Sequence, residues 1–413
     1  MTSPVVNANA ESLPSYSVSS PPPCYSSNLA CGEQCIQHTP RCRLRPSGTF
    51  TKQSGRVTVV LTEQPNDATI PVFGRHSPIQ GVVSLEHREV VTDVKVKLEG
   101  RMRLLIPGGG SRTVELVNEC HSLWTYNPIS DPDAICPSTL PFSCHFPLSF
   151  EDKGVKHHLP PSYDLSCLGP SGVVAIVDYS LQIKIVKGRH RGIGLWVKVK
   201  KIRIPIKYLP RTRPPRPIFA DPDLFSDLKI SPEEWHQSLS TISSRSPEKV
   251  PRINCNLFIP SSKIFSFSDK IPFHVQLSGP LNSLRDLSQN EKSGPSPPVV
   301  RVHLLRQTSL EIDGQKAWRN STLATGEIRP IPPPMSTITD PTGSREESFD
   351  WEGEVEVPTN ISCPSFNVGD LAVKDFLVLT VIPSDPRQSA LTHHQTYVSI
   401  KLVTDSWTEE PSS

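Results

Sequence analysis

Long apolar runs are missing from this chain. No stretch of about 18 apolar residues occurs in its 413 positions, so nothing in it reads as a membrane-spanning helix. Its first residues, MTSPVVNANAES, hold neither a basic leader nor an apolar export segment, and the expectation is a soluble, cytoplasmic chain. Net charge is almost absent as well: 43 Lys and Arg stand against 41 Asp and Glu, a formal balance of +2. A chain so close to neutrality has no global field for nucleic acid, so any anion-binding patch must be local. The ten cysteines show no ladder of spacings and are expected to be thiols of a reducing compartment. Cys31, Cys35 and Cys42 come nearest to a cluster, but no second half-site lies at zinc-finger distance, so no metal is assigned. Catalytic signatures are lacking too. GPSG at 169–172 is not a nucleophile elbow, and there is neither a phosphate-binding glycine loop with lysine nor a His-Glu-x-x-His. His157 with His158, and His393 with His394, are adjacent pairs that point to opposite faces of a strand and cannot chelate one ion together. No catalytic residue and no cofactor is assigned.

Proline, by contrast, is abundant: 44 residues, about twice the usual frequency, with hydrophobic content at 36%. Folded cores fringed by proline-rich segments give both values. The segment SLPSYSVSSPPPCYSS, residues 12–27, places two tyrosines behind prolines in a serine-rich stretch. Pro22, Pro23, Cys24 and Tyr25 spell Pro-Pro-x-Tyr, and Leu13, Pro14, Ser15 and Tyr16 spell the looser Leu-Pro-x-Tyr. Proline presets the polyproline II conformation, so such a segment docks into an aromatic groove with little entropy left to lose, as a WW-domain ligand does. The tyrosines are nine residues apart, at most about 28 Å as polyproline II, which suits alternate rebinding by one WW domain. A third match, Pro160-Pro161-Ser162-Tyr163, falls between strands, where Tyr163 is expected to be a packed aromatic. Ser17, Ser19, Ser20, Ser26 and Ser27 flank the tyrosines, and phosphorylation there would gate the ligand by charge.

Residues 1–45 lack apolar periodicity and are expected to be disordered. From Arg56 to about residue 210, alternating β-branched runs follow one another. Among them GRVTVVLTEQ, VVTDVKVKLEGRMRLLI, VVAIVDYSLQIKIV and LWVKVKKIRIPIKYL stand out. Val94, Val96 and Leu98 face one way, with Asp93, Lys95, Lys97 and Glu99 the other, as on a half-buried antiparallel strand. Residues 211–250 form a proline-rich linker in which SPEEWHQSL predicts one short helix, with Ser231 as N-cap and Pro232 at the first helical position. Strand signals resume over 251–405, interrupted at 280–298 and 319–348, and residues 406–413 form a tail. The prediction is an all-β protein of two tandem antiparallel β-sandwiches at 46–210 and 251–405.

Five segments carry a family resemblance. GRHSPIQGVVSLEHREVVTDVKVKLEGRM, STLPFSCHFPLSF and LPPSYDLSCLGPSGVVAIVDYSLQIKIV resemble, in order, strands and turns of an arrestin amino domain. LFIPSSKIFSFSDKIPFHVQLSG and SFNVGDLAVKDFLVLTVI resemble strands of its carboxy domain. Together they cover residues 47 to about 404, and the proline-tyrosine ligands make the chain look like an α-arrestin, an arrestin-related trafficking adaptor of the fungal kind. That resemblance implies an adaptor linking a WW-domain HECT ubiquitin ligase to cytosolic tails of membrane transporters or receptors, promoting ubiquitination, endocytosis and sorting, with recruitment to the plasma membrane or endosomes. One departure stands: many α-arrestins carry such ligands behind the carboxy domain, whereas TDSWTEEPSS has none. The alternatives are an arrestin-fold sorting or scaffold protein without ligase recruitment, and a nucleic-acid-binding β-sandwich, which the near-neutral charge disfavours.

One stretch is strongly basic. Residues 184–216 hold twelve Lys or Arg and no Asp or Glu. Lys198, Lys200, Arg203 and Lys207 interleave with apolar residues there, and form either a patch for anionic lipid or acidic cargo tails or simply the solvated face of a strand.

Overall fold

The computed structural model describes residues 34–35, 47–66, 68–129, 133–166, 172–190, 195–218, 230–288, 299–332, 346–385 and 387–407. The two proline-tyrosine motifs read as WW ligands lie outside these residues, as do all but Gln34 and Cys35 of the first 45. The fold is nearly all β, in antiparallel sheets, and its one α-helix among the described residues is Leu281–Ser288. No helix among them is long and apolar enough to cross a membrane.

Period-two alternation builds the first core. A six-stranded sheet runs Val72–Phe73, Leu195–Tyr208, Val174–His190, Val91–Ile106 and Gly110–Thr125 in spatial order, with Tyr163–Ser166 added to the Val174–His190 strand. A four-stranded sheet, Gly48–Ser54, Val57–Gln64, Pro78–Leu85 and Thr139–His145, belongs to the same core. Val94, Val96 and Leu98 from the first sheet meet Val59, Leu61 and Ile79 from the second in one buried cluster. Each fully buried aliphatic side chain there contributes about 1.5–3 kcal/mol, so the alternation fixes which face turns inward.

A second core lies between a five-stranded and a six-stranded sheet. The first has the order Trp235–Ile242, Ile253–Pro260, Lys270–Pro280, Glu346–Glu356, Glu327–Ile331. The other has the order Ile264–Ser266, His394–Val403, Leu371–Val381, Val300–Ile312, Gln315–Thr325, with Phe366–Val368 paired to Leu371–Val381. Leu257, Ile271, Phe273 and Val275 pack against Val302, Leu304, Leu377 and Leu379. The helix follows directly on the Lys270–Pro280 strand and drops Leu284 and Leu287 into this core.

Two strands serve both cores. Leu310, Ile312, Leu371 and Val373 belong to the first cluster, although Val302, Leu304, Leu377 and Leu379 on the same two strands belong to the second. Where the change occurs, Arg306 and Asp375 stand opposite each other in register, buried at 6% and 0% exposure.

Several expectations need correction. SPEEWHQSL is not a helix: Pro232–Glu234 forms one 3-10 turn without a side-chain cap at Ser231, and Trp235–Ile242 is a strand paired along its length with Ile253–Pro260. Eight cross-strand partners outweigh a capping signal worth about 1 kcal/mol. The 211–250 segment therefore contributes to a sheet. Gln34–Cys35, within the segment read as unstructured, pairs with Thr212–Arg213. The two interruptions carry structure as well: the helix occupies 281–288, and strands Gln315–Thr325 and Glu327–Ile331 reach into 319–348.

Candidate functional site

Leu13, Pro14, Tyr16, Pro22, Pro23 and Tyr25 lie outside the described residues. The third proline-tyrosine match is inside them and is structural. Pro160 and Pro161 are buried, and the Tyr179 hydroxyl donates to the Pro160 carbonyl at 2.7 Å. Ser162 Oγ accepts from the Tyr208 amide at 2.9 Å. The Tyr163 hydroxyl shares a 2.7 Å hydrogen bond with Thr308 Oγ1, and its ring meets Phe366 edge-on at 5.7 Å. Gly100 lies opposite Tyr179, where a Cβ would stand 2.5 Å from the ring, so only glycine lets that strand approach. These contacts lock the turn against docking elsewhere.

Alternation divides the four basic residues singled out on Leu195–Tyr208. Ile202, Ile204 and Ile206 point into the core, so Arg203 and Lys207 point outward from the sheet, while Lys198 and Lys200 point to its inner side beyond the core's end. Lys200 Nζ donates to the Ser54 carbonyl on the other sheet, and Lys198 is registered against Lys187. By the pleat, Lys198 and Lys200 therefore lie on the opposite side of the sheet from Arg203 and Lys207. Arg203 is itself engaged, with Nε donating to Ser180 Oγ at 3.0 Å and Nη2 to Asp178 at 3.1 Å.

What the fold assembles instead is a cationic outer face drawn from three neighbouring strands. Lys201 is opposite Lys184, and Lys184 is opposite Lys95, so three lysines stand in one row across Leu195–Tyr208, Val174–His190 and Val91–Ile106. The next outward row is Arg203, Gln182, Lys97, and farther along Asp178 is opposite Arg101. Three of the carboxylates on this face are already taken, while Glu115 stands opposite Arg101 in register. Glu99 is 2.6 Å from Lys97, Asp93 is 3.4 Å from Lys95, and Asp178 holds both Arg103 and Arg203 at 3.2 and 3.1 Å. The Lys97 hydrogen bond holds the Glu99 carboxyl below its ordinary value against the opposing effect of burial, with Arg101 and Arg203 adding to the shift. Among the described residues no ion pair involves Lys184, Lys201, Lys207 or Arg101. Like charges directly across a ladder destabilise it, so the lysine row is a cost to folding that an anion would relieve. Such a face can hold polyanions and orient them.

Lys95, Lys97, Lys184 and Lys201 were not singled out from sequence as members of one patch. The alternation in VTDVKVKLEG and LWVKVKKIRIPIKYL already put Lys95, Lys97, Lys201 and Arg203 on polar faces; only strand pairing brings those faces together.

Two other polar features stand apart from this face. At the change of core, Arg306 donates to Asp375 through Nε and Nη2 at 2.8 and 2.9 Å, and Ser365 Oγ donates to the same carboxylate at 2.6 Å, so every partner is internal. A cleft of about 200 Å³ lies among Glu63, Val72, Phe73, Arg75, Leu209 and Arg211, with Arg211 tied to Asp405. Among the described residues no group of three or more His, Cys, Asp or Glu is placed to hold a metal ion. No protein-family model matches this chain, and no curated protein matches its sequence.

Proposed function

We propose that this protein is an arrestin-like adaptor, of the α-arrestin kind, that brings a WW-domain HECT ubiquitin ligase to the cytosolic tails of membrane transporters or receptors. In this reading it acts by binding and carries out no catalysis of its own. The observation that carries it is the combination of Pro22, Pro23 and Tyr25, with Leu13, Pro14 and Tyr16, ahead of a β body. One arm engages the ligase and the body offers a platform for cargo. The all-β architecture with two buried cores supports the platform half of the reading, and the uncovered cationic face gives that platform a charge preference.

The test is a pull-down of the intact chain against a Tyr16→Ala, Tyr25→Ala variant, with bound proteins identified by mass spectrometry. The expected result is loss of a WW-domain ubiquitin ligase from the variant and retention of a membrane protein by both. Equal ligase recovery from both chains refutes ligand recruitment through these tyrosines. Absence of any ligase alongside retained membrane cargo favours a sorting scaffold of the same fold.

A further inference from the structure

We infer that the outer face of the Leu195–Tyr208, Val174–His190 and Val91–Ile106 strands docks on an anionic membrane surface, with Lys95, Lys184 and Lys201 at its centre. This deepens the adaptor reading, on which it rests only for the reason such a protein meets a membrane.

Register supplies the first argument. Lys201, Lys184 and Lys95 are direct cross-strand neighbours, with side-chain bases about 5 Å apart, and no carboxylate is registered in their row. Phosphate-bearing headgroups that gather under the row remove a repulsion the free protein must carry. The chemistry of the unpaired cations is the second argument. Lys184, Lys201 and Lys207 are lysines, compact point charges that accept headgroups in many orientations. Of the arginines that could grip one phosphorylated side chain in a bidentate fork, Arg103 and Arg203 are already held by Asp178, and Arg101 lies outside the lysine row, opposite Glu115.

Shape is the third. Two clefts among the described residues, lined by Phe73, Arg75 and Leu209 and by Pro161, Pro210 and Phe366, do not include the lysine row, which lies on the outer face of the sheet. Apolar side chains supply the fourth: Val197 and Val199 continue the same outward alternation past Lys201 and are 58% and 46% exposed. Apolar groups beside lysines are what an interfacial contact places at the boundary between headgroups and acyl chains.

Each lysine near a negatively charged leaflet contributes about fivefold in partitioning, so the three together contribute on the order of a hundredfold. The experiment is sedimentation of the intact chain with phosphatidylcholine vesicles, with and without phosphatidylserine, over a salt series. Binding is expected only with phosphatidylserine and is expected to fall as salt rises. The Lys95→Gln, Lys184→Gln, Lys201→Gln variant should lose on the order of a hundredfold and melt close to the parent, because the repulsion removed offsets the loss of the Lys95–Asp93 pair. Lys201→Gln alone should lose about fivefold, a check that does not depend on how the triple variant folds.

Exposed lysines off this face provide the control. A Lys52→Gln, Lys156→Gln, Lys249→Gln variant removes the same charge and should bind vesicles as the parent does. Equal loss in the two triple variants, or full vesicle binding by the face variant, overturns the inference. Loss of binding to a phosphoserine peptide with vesicle binding intact also overturns it and assigns the face to acidic cargo. The Tyr16→Ala, Tyr25→Ala variant should bind vesicles normally, so membrane docking and ligase recruitment fail or stand separately; loss of vesicle binding in that variant overturns the membrane assignment to the sheet.

Discussion

Arg306 and Asp375 are a costly pair of side chains to separate. Both are buried, and they satisfy each other through two hydrogen bonds, with Ser365 filling the remaining carboxylate site. Asp375→Ala leaves a buried guanidinium unpaired and should destabilise by about 3–5 kcal/mol in urea titration, whereas Arg306→Met with Asp375→Leu should fall within about 1 kcal/mol of the parent or exceed it. The pair thus marks where one core gives way to the other more than it adds net stability. Thiols show burial at work on single groups in a different way. Desolvation pushes Cys136 and Cys255 up to about 11 and Cys144 and Cys363 up to about 12, while Cys120 is exposed. Iodoacetamide at neutral pH should therefore modify Cys120 and spare those four until the chain is unfolded, as read by peptide mass spectrometry.

The edge strand Trp235–Ile242 is where local and tertiary preference disagree. Its sequence opens with Ser-Pro-Glu-Glu, a helix start, yet its side chains alternate and its backbone is taken up by Ile253–Pro260. A second contact secures it: His394, at the start of His394–Val403, is hydrogen-bonded through Nε2 to Ser240 Oγ at 2.9 Å and to Thr396 Oγ1 at 3.1 Å. Burial and then the neighbouring His393 hold His394 below the ordinary 6.5, and burial and then Lys263 do the same for His236 on the edge strand itself. With folded values depressed, the unfolded chain binds more protons as pH falls below about 6.5, so the strand's stability is full above that value and declines beneath it. Amide exchange in 235–242, corrected for intrinsic rates, should be flat from pH 8 to 7 and accelerate below about 6.5. His394→Gln should weaken that acceleration; an unchanged profile in this variant would remove the histidine from the explanation.

At the scale of the whole molecule, polar contacts tie the two cores into one body. Arg112 binds both Asp152 and Asp370, Lys153 reaches Asp370 at 3.0 Å, and Tyr163 meets Thr308. Arg211 holds Asp405, and the Thr212 amide donates to Thr404 Oγ1 at 2.9 Å. Calorimetry of the intact chain should give one coupled transition. Asp370→Asn with Asp405→Asn removes charge-assisted bonds worth about 2 kcal/mol each and should split the transition in two, one for each core. Much of the architecture is legible in the sequence, because period-two burial is a property of the chain itself: Val94, Val96 and Leu98 turn inward as their spacing requires. The same periodicity could have warned that Lys198 and Lys200 do not share a face with Arg203 and Lys207, since two residues of opposite parity never do on one regular strand. The proline-tyrosine motifs are wholly a matter of sequence, for the recognition proposed for them needs only a preset backbone and a ring. Which lysines stand side by side was a different kind of question. Lys95 and Lys184 are 89 positions apart in the chain, and only the hydrogen-bonded register of three strands makes them neighbours. Sequence determined what each strand shows on each face; tertiary structure decided which faces join, because that depends on pairing between segments that carry no local record of their partners.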